Sequence, residues 1–158
     1  MDDKITIEMS DYGVEDAYSI MQTFGCGPCV GVAFSYHGTG FMMHEFSNDI
    51  NPEVLISLLT QARNLIPIND RNNIYPVVVG GRVDENEDVI DETSASREFV
   101  VSELINCGFA TPKEFWAEKD CSKNLYLHVN DDYVKIETMC ENENISAKEI
   151  IVDFNKNG

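Results

Sequence analysis

The segment from Val30 to Phe46 limits the possible folds more than any other part of the chain. Val30 to Tyr36 is a run of small, apolar and aromatic residues suited to a strand, and Phe41 to Phe46 is a second one. Between them His37-Gly38-Thr39-Gly40 permits a tight reversal, so the two runs are predicted to pair as an antiparallel hairpin. Asn124 to Val129 and Tyr133 to Thr138 predict a second hairpin around Asn130-Asp131-Asp132. A chain with two local hairpins builds at least one antiparallel sheet.

Other elements follow from the same reading. Lys4 to Met9 alternates like a strand, with Ile5, Ile7 and Met9 on one side. Asp11 to Ala17 is polar and contains glycine, which predicts a loop or a weak strand. Asn51-Pro52-Glu53 opens a helix, with Asn as N-cap, Pro in the first turn and an acid at the positive end of the dipole. Val54, Leu55, Leu58, Leu59, Ala62 and Leu65 then recur at helical spacing. Tyr75 to Val79 reads as a buried strand closed by Gly80-Gly81, and Asp84 to Asp91 as an acidic loop. Ser94 is placed to cap a second helix carrying Phe99, Val100, Leu104 and Ile105 to an end near Cys107-Gly108. Ile150 to Phe154 is the last expected strand. Strands outnumber helices and fall in adjacent pairs, which predicts an α+β fold with antiparallel sheet. With 158 residues and no repeat or low-complexity linker, a single domain over 1–158 is expected.

Charge narrows the partners. Twenty-eight acidic against 11 basic residues gives −17, a surface that repels phosphate backbones and anionic headgroups. Nucleic acid and membrane surfaces are therefore not expected as partners; the charge reads first as a source of solubility and second as favouring a protein partner with a basic face. No apolar run approaches the roughly 20 residues of a membrane helix, and the start Met1-Asp2-Asp3-Lys4 is not a secretion signal. Five cysteines cannot all pair within the chain, which suggests free thiols and a cytoplasmic, reducing setting. Cys26, Cys107 and Cys140 are expected as buried or half-buried small hydrophobes.

Two chemistries compete at one segment. Cys26-Gly27-Pro28-Cys29 has the spelling of a thioredoxin site, where a helix N-terminus stabilises the first thiolate. Here Val30-Gly31-Val32 follows, a poor start for a helix. Zinc would need two further ligands, and no second paired spacing supplies them. Alternatively Cys29, where a glycine-rich turn enters a strand, can present its side chain at a strand end and act as a nucleophile. Gly25 and Gly27 would then present N–H groups to an oxyanion, and His44 on the partner strand would take the thiol proton. A third group must orient the imidazole. A non-catalytic domain that docks a basic protein, with incidental cysteines, is the third reading.

Thr23-Phe24-Gly25-Cys26-Gly27-Pro28-Cys29-Val30-Gly31-Val32 resembles the threonine, glycine-rich turn and cysteine-strand segment of the chemotaxis glutamine deamidases of the CheD family. Gly40-Phe41-Met42-Met43-His44 is similar to that family's glycine-strand-histidine element. His44 follows Cys29 by 15 residues, as in deamidase toxins of the cytotoxic necrotizing factor and Burkholderia lethal factor type. Tyr75 to Gly81 resembles a CheD strand that ends in paired glycines, and the helix and hairpin beyond it fall in the same order.

The resemblance implies layered β-sheets, antiparallel or mixed, flanked by two main helices. It implies a Cys29-His44-Thr23 site that hydrolyses glutamine side chains of proteins without metal or cofactor, Thr23 orienting His44. The same thioester would give transglutamination with an amine acceptor. Targets in the family are chemoreceptors or, for the toxins, host proteins, so the activity is expected in the cytoplasm or in a host cytosol reached as an effector. Pro28 departs from the family, which has serine or glycine before the cysteine. Lacking an N–H, Pro28 leaves the Cys29 N–H to serve the oxyanion. Cys26 is a possible redox partner that would switch Cys29 off.

Overall fold

The computed structural model describes residues 3–27, 29–46, 52–81, 87–118, 120–140 and 148–154. Pro28, the expected N-cap Asn51 and the first part of the expected acidic loop lie outside them. Ten strands and three helices follow in the order β1 (Lys4–Thr6), β2 (Asp11–Glu15), β3 (Ile20–Cys26), β4 (Cys29–Tyr36), β5 (Thr39–Phe46), α1 (Pro52–Leu65), α2 (Ile68–Arg71), β6 (Val77–Gly80), α3 (Glu87–Asn106), β7 (Lys113–Trp116), β8 (Cys121–His128), β9 (Tyr133–Cys140) and β10 (Lys148–Asp153). The class is α+β.

The strands form two five-stranded sheets, ordered β1-β3-β8-β9-β10 and β2-β5-β4-β6-β7. Most neighbours are antiparallel, but β1–β3 and β6–β7 are parallel, so both sheets are mixed. Both expected hairpins are present. In β4–β5 the reversal needs only His37 and Gly38, both at positive φ (46° and 81°). That backbone twist matches the right-handed twist of the strands it joins.

The sheets meet through small residues on one side and large ones on the other. A Cβ on Gly31 would lie 2.9 Å from Cys26 Sγ and 3.1 Å from Leu125, and one on Gly40 would lie 2.5 Å from Met21 Sδ. The opposite face of β4 carries Val30, Val32 and Phe34, all fully buried, with Phe34 stacked on Phe41 and packed on Phe109. Helix α1 lies against β2 and β5. Gly31→Ala is expected to destabilise by about 1–3 kcal/mol through overpacking. In a Cys26→Ala background, where the nearest atom is gone, the cost should fall; urea unfolding of the four proteins measures it.

Several expectations need correction. The strand predicted over Lys4 to Met9 stops at Thr6, because the chain crosses there from one sheet to the other. Of the loop or weak strand expected over Asp11 to Ala17, the strand is what is found: β2, paired with β5. Strands β3 and β7 were not foreseen. Leu65 is 49% exposed, and Ile66 takes the buried place beyond the helix. Ser94 lies inside α3, which begins at Glu87, so residues 87–91 are helical rather than loop. Cys140 is no free thiol: register places it opposite Cys121, and the two form a disulfide with Cα atoms 4.1 Å apart. The odd count still leaves free thiols, but the bond itself is of a kind that a reducing setting does not favour. Cys26, Cys29 and Cys107 are free and buried. Among the described residues no helix is long and apolar enough to cross a membrane.

Candidate active site

Neighbouring strands bring the proposed nucleophile and base together. Cys29 lies opposite Phe46 and Gly31 opposite His44, so Cys29 and His44 are diagonal neighbours on the face turned to the other sheet. Gly31, between them in register, adds no side chain. Both residues are 5% exposed and line one cavity of about 240 Å³ with Thr6, Ile7, Glu8, Met9, Phe24 and Gly25.

Thr23 reaches the histidine from the facing sheet. Its Oγ1 stands 2.7 Å from the Ile7 carbonyl and 2.7 Å from His44 Nδ1. A hydroxyl has one proton, and the carbonyl can only accept. Thr23 therefore donates to Ile7 and accepts from His44 Nδ1–H. This network assigns the tautomer that leaves Nε2 unprotonated, with its lone pair available as a base.

A bulge in β3 makes the arrangement possible. The pairing of β3 with β8 slips between Thr23 and Cys26, and Gly25 sits at φ 77° in the slip. In an unbroken strand, residues 23 and 26 would face opposite ways. The extra residue turns both inward, so Cys26 Sγ lies 3.9 Å from His44 Nδ1 behind the imidazole. A glycine inside the run 20–26 was the only sequence signal for it.

Gly25 and Gly27 do not offer the expected oxyanion donors. The Gly25 N–H donates to Asn124 Oδ1 at 2.9 Å, and the Gly27 N–H to the Gly25 carbonyl at 2.9 Å. Both amides are committed to holding the turn. The thioredoxin setting is also missing, since a strand rather than a helix follows Cys29 and Cys26 is fully buried.

Sequence reasoning missed the crossing segment between β1 and β2. Ile7 N–H is tied to Gln22 and Ser10 N–H to the His44 carbonyl, which lays Glu8 and Met9 over the cavity. Met9 is 57% exposed, yet its Sδ accepts from the Cys29 thiol at 3.7 Å. Asn124 is the other omission, 99 residues from its partner Gly25 and without a local signature.

Burial decides the resting protonation. It pushes the Cys29 thiol up from 9.0 to about 11, with Glu45 adding to the rise, and raises the Cys26 thiol further. Burial lowers His44 below its usual 6.5, against an opposing pull from Glu8. At neutral pH the pair is therefore a neutral thiol and a neutral imidazole.

The same shifts set a stability window. A thiol whose folded pKa is raised stabilises the fold below its unfolded value and loses that contribution as pH climbs through the folded one. His44, with a lowered folded pKa, contributes above 6.5 and loses as pH falls. The urea midpoint should be flat from about pH 7 to 8.5 and decline on both sides, with Cys26→Ala removing part of the alkaline decline. A midpoint unchanged between about pH 8 and 10.5 would contradict the shifts.

No protein-family model matches the chain, and no curated protein aligns with it.

Proposed function

We propose that this chain is a cysteine-dependent hydrolase of side-chain amides, with protein glutamine as its substrate. The observation that carries the reading is the relay from the Ile7 carbonyl through Thr23 to His44 Nδ1, which leaves Nε2 unprotonated on a histidine that lines the same cavity as Cys29. A buried nucleophile in so small a cavity suits a reactive group at the tip of a slender side chain. The likeness of residues 23–32 and 40–44 to the CheD-type deamidases and related toxins makes that group a glutamine carboxamide.

On this reading His44 Nε2 takes the Cys29 proton as Sγ attacks the carboxamide carbon. The tetrahedral oxyanion collapses, the C–N bond breaks, and ammonia leaves with the proton returned by His44. Water, deprotonated by His44, then attacks the thioester; the C–S bond breaks, Cys29 recovers its proton, and glutamate remains. No cofactor takes part. The substrate is a cytosolic protein of the same cell or of a host, with basic surroundings that suit the −17 charge.

The test incubates wild type and Cys29→Ala with bacterial and host lysates and searches peptides for glutamine converted to glutamate. Conversion in wild type alone is the expected result. A set of converted sites identical in both proteins overturns the reading, and amine incorporation at the same glutamines would redefine it as transglutamination.

A further inference from the structure

The N–H of Cys29 is the remaining candidate for the oxyanion donor, and the turn at Gly81 lies next to it. Gly81 N–H donates to the Cys29 carbonyl at 2.9 Å, which makes Cys29 and Gly81 a hydrogen-bonded pair of the β4–β6 ladder. A regular antiparallel pair exchanges two bonds, the second running from Cys29 N–H to the Gly81 carbonyl. At Gly81 the ladder ends: φ of 56° turns its backbone, and its carbonyl accepts from Arg97 Nε–H at 2.7 Å.

Arg97 is itself held in place. Its guanidinium lies 4.9 Å from the centre of the Trp116 ring, and Trp116 pairs in register with Gly80. A Cβ on Gly81 would meet both side chains, at 3.1 Å from Trp116 and 3.2 Å from Arg97. Ala117 N–H donates to the Gly80 carbonyl at 2.7 Å, so the Gly80-Gly81 turn is fastened from the β7 side as well. A charged donor holds a carbonyl about twice as strongly as a neutral amide does.

We propose that Arg97 is a positioning residue for Cys29: by holding the Gly81 carbonyl out of the ladder it leaves the Cys29 N–H to bind the oxyanion. The base then stands on the β5 side of the nucleophile and the oxyanion donor on the β6 side. This role rests on Cys29 being an acyl-accepting nucleophile, but its test needs no glutamine substrate.

Two small probes separate the parts. Acetyl transfer from p-nitrophenyl acetate to Cys29 passes through a tetrahedral oxyanion; the ester C–O bond breaks, nitrophenolate leaves, and the thiol proton passes to His44. Alkylation by iodoacetamide is a direct displacement at carbon and forms no oxyanion. Both modifications of Cys29 are followed by mass spectrometry in wild type, Arg97→Ala and Arg97→Lys, with thermal unfolding to confirm folding. Arg97→Ala should slow acetylation about 100-fold, the scale of one oxyanion donor, while alkylation stays within about twofold. Arg97→Lys, which keeps a charged donor, should restore part of the difference.

Equal losses in both rates, or in neither, overturn the role of Arg97, as does a wild type that is not acetylated at Cys29. If Arg97→Ala does not fold, Arg97→Lys decides alone, by whether its ratio of acetylation to alkylation falls below that of wild type. Selective acetylation without any glutamine conversion in lysates would sink the deamidase reading and leave the positioning role standing.

Discussion

His44→Ala is expected to slow Cys29-dependent chemistry by about three to four orders of magnitude at pH 7, the upper range for a general base. The size follows from the resting state. With the thiol pushed up to about 11, only about one molecule in 10,000 holds a thiolate at neutral pH without help. The wild-type rate should rise through the lowered pKa of His44, somewhere below 6.5, and then stay level well into the alkaline range. In His44→Ala the only nucleophile is the spontaneous thiolate, so the rate should climb tenfold per pH unit towards pH about 11. Thr23→Val removes the acceptor for Nδ1–H while keeping the shape, and about a 10- to 100-fold loss is expected from the disturbed tautomer. Rate against pH for the three proteins, read with p-nitrophenyl acetate, checks all of this. A flat profile in His44→Ala would remove the histidine from the mechanism.

The second large effect concerns the fold under the nucleophile. Gly80 has φ 86°, and a Cβ there would sit 1.9 Å from the Cys29 carbonyl oxygen and 3.0 Å from that of Cys26. Both obstacles are backbone, so no rotamer change relieves them. Gly80→Ala is expected to cost about 3–5 kcal/mol, combining a left-handed residue with forced separation of β4 and β6. In a domain of this size that lowers the thermal midpoint by roughly 6–20 °C. Gly25→Ala is the control, since Gly25 also has positive φ (77°) but nothing lies within 4 Å of its added Cβ. It should cost only about 1–2 kcal/mol. Equal losses in the two variants, measured by urea or thermal unfolding, would show that conformation rather than the contact with Cys29 limits Gly80.

The hairpins, α1 and the end of α3 were legible because their signals are local: glycine- or Asn/Asp-rich turns between apolar runs, apolar residues at helical spacing, a glycine after the last turn. Strand β3 was hidden by its own bulge, as Phe24-Gly25 interrupts the alternation that Met21 and Thr23 begin. Strand β7 is four residues long and holds its place through parallel pairing with β6, which leaves no local trace. The Cys121–Cys140 bond depends on a register that composition does not express.

The hairpin reading placed Cys29 at the entry of one strand and His44 on its partner, but it took His37 to Gly40 as the turn, which would set His44 opposite Ala33; the two-residue turn of the structure sets it opposite Gly31, one diagonal step from Cys29. The sequence by itself also put Thr23 on the same short stretch as the nucleophile. Only the tertiary structure decided the rest. The facing sheet delivers Thr23 and Cys26 to the back of His44, the crossing segment adds the Ile7 carbonyl and Met9, and α3 adds Arg97. These groups come from positions scattered along the chain, so no spacing could announce them. Burial between two sheets, which depends on every strand at once, sets the thiol and the imidazole neutral.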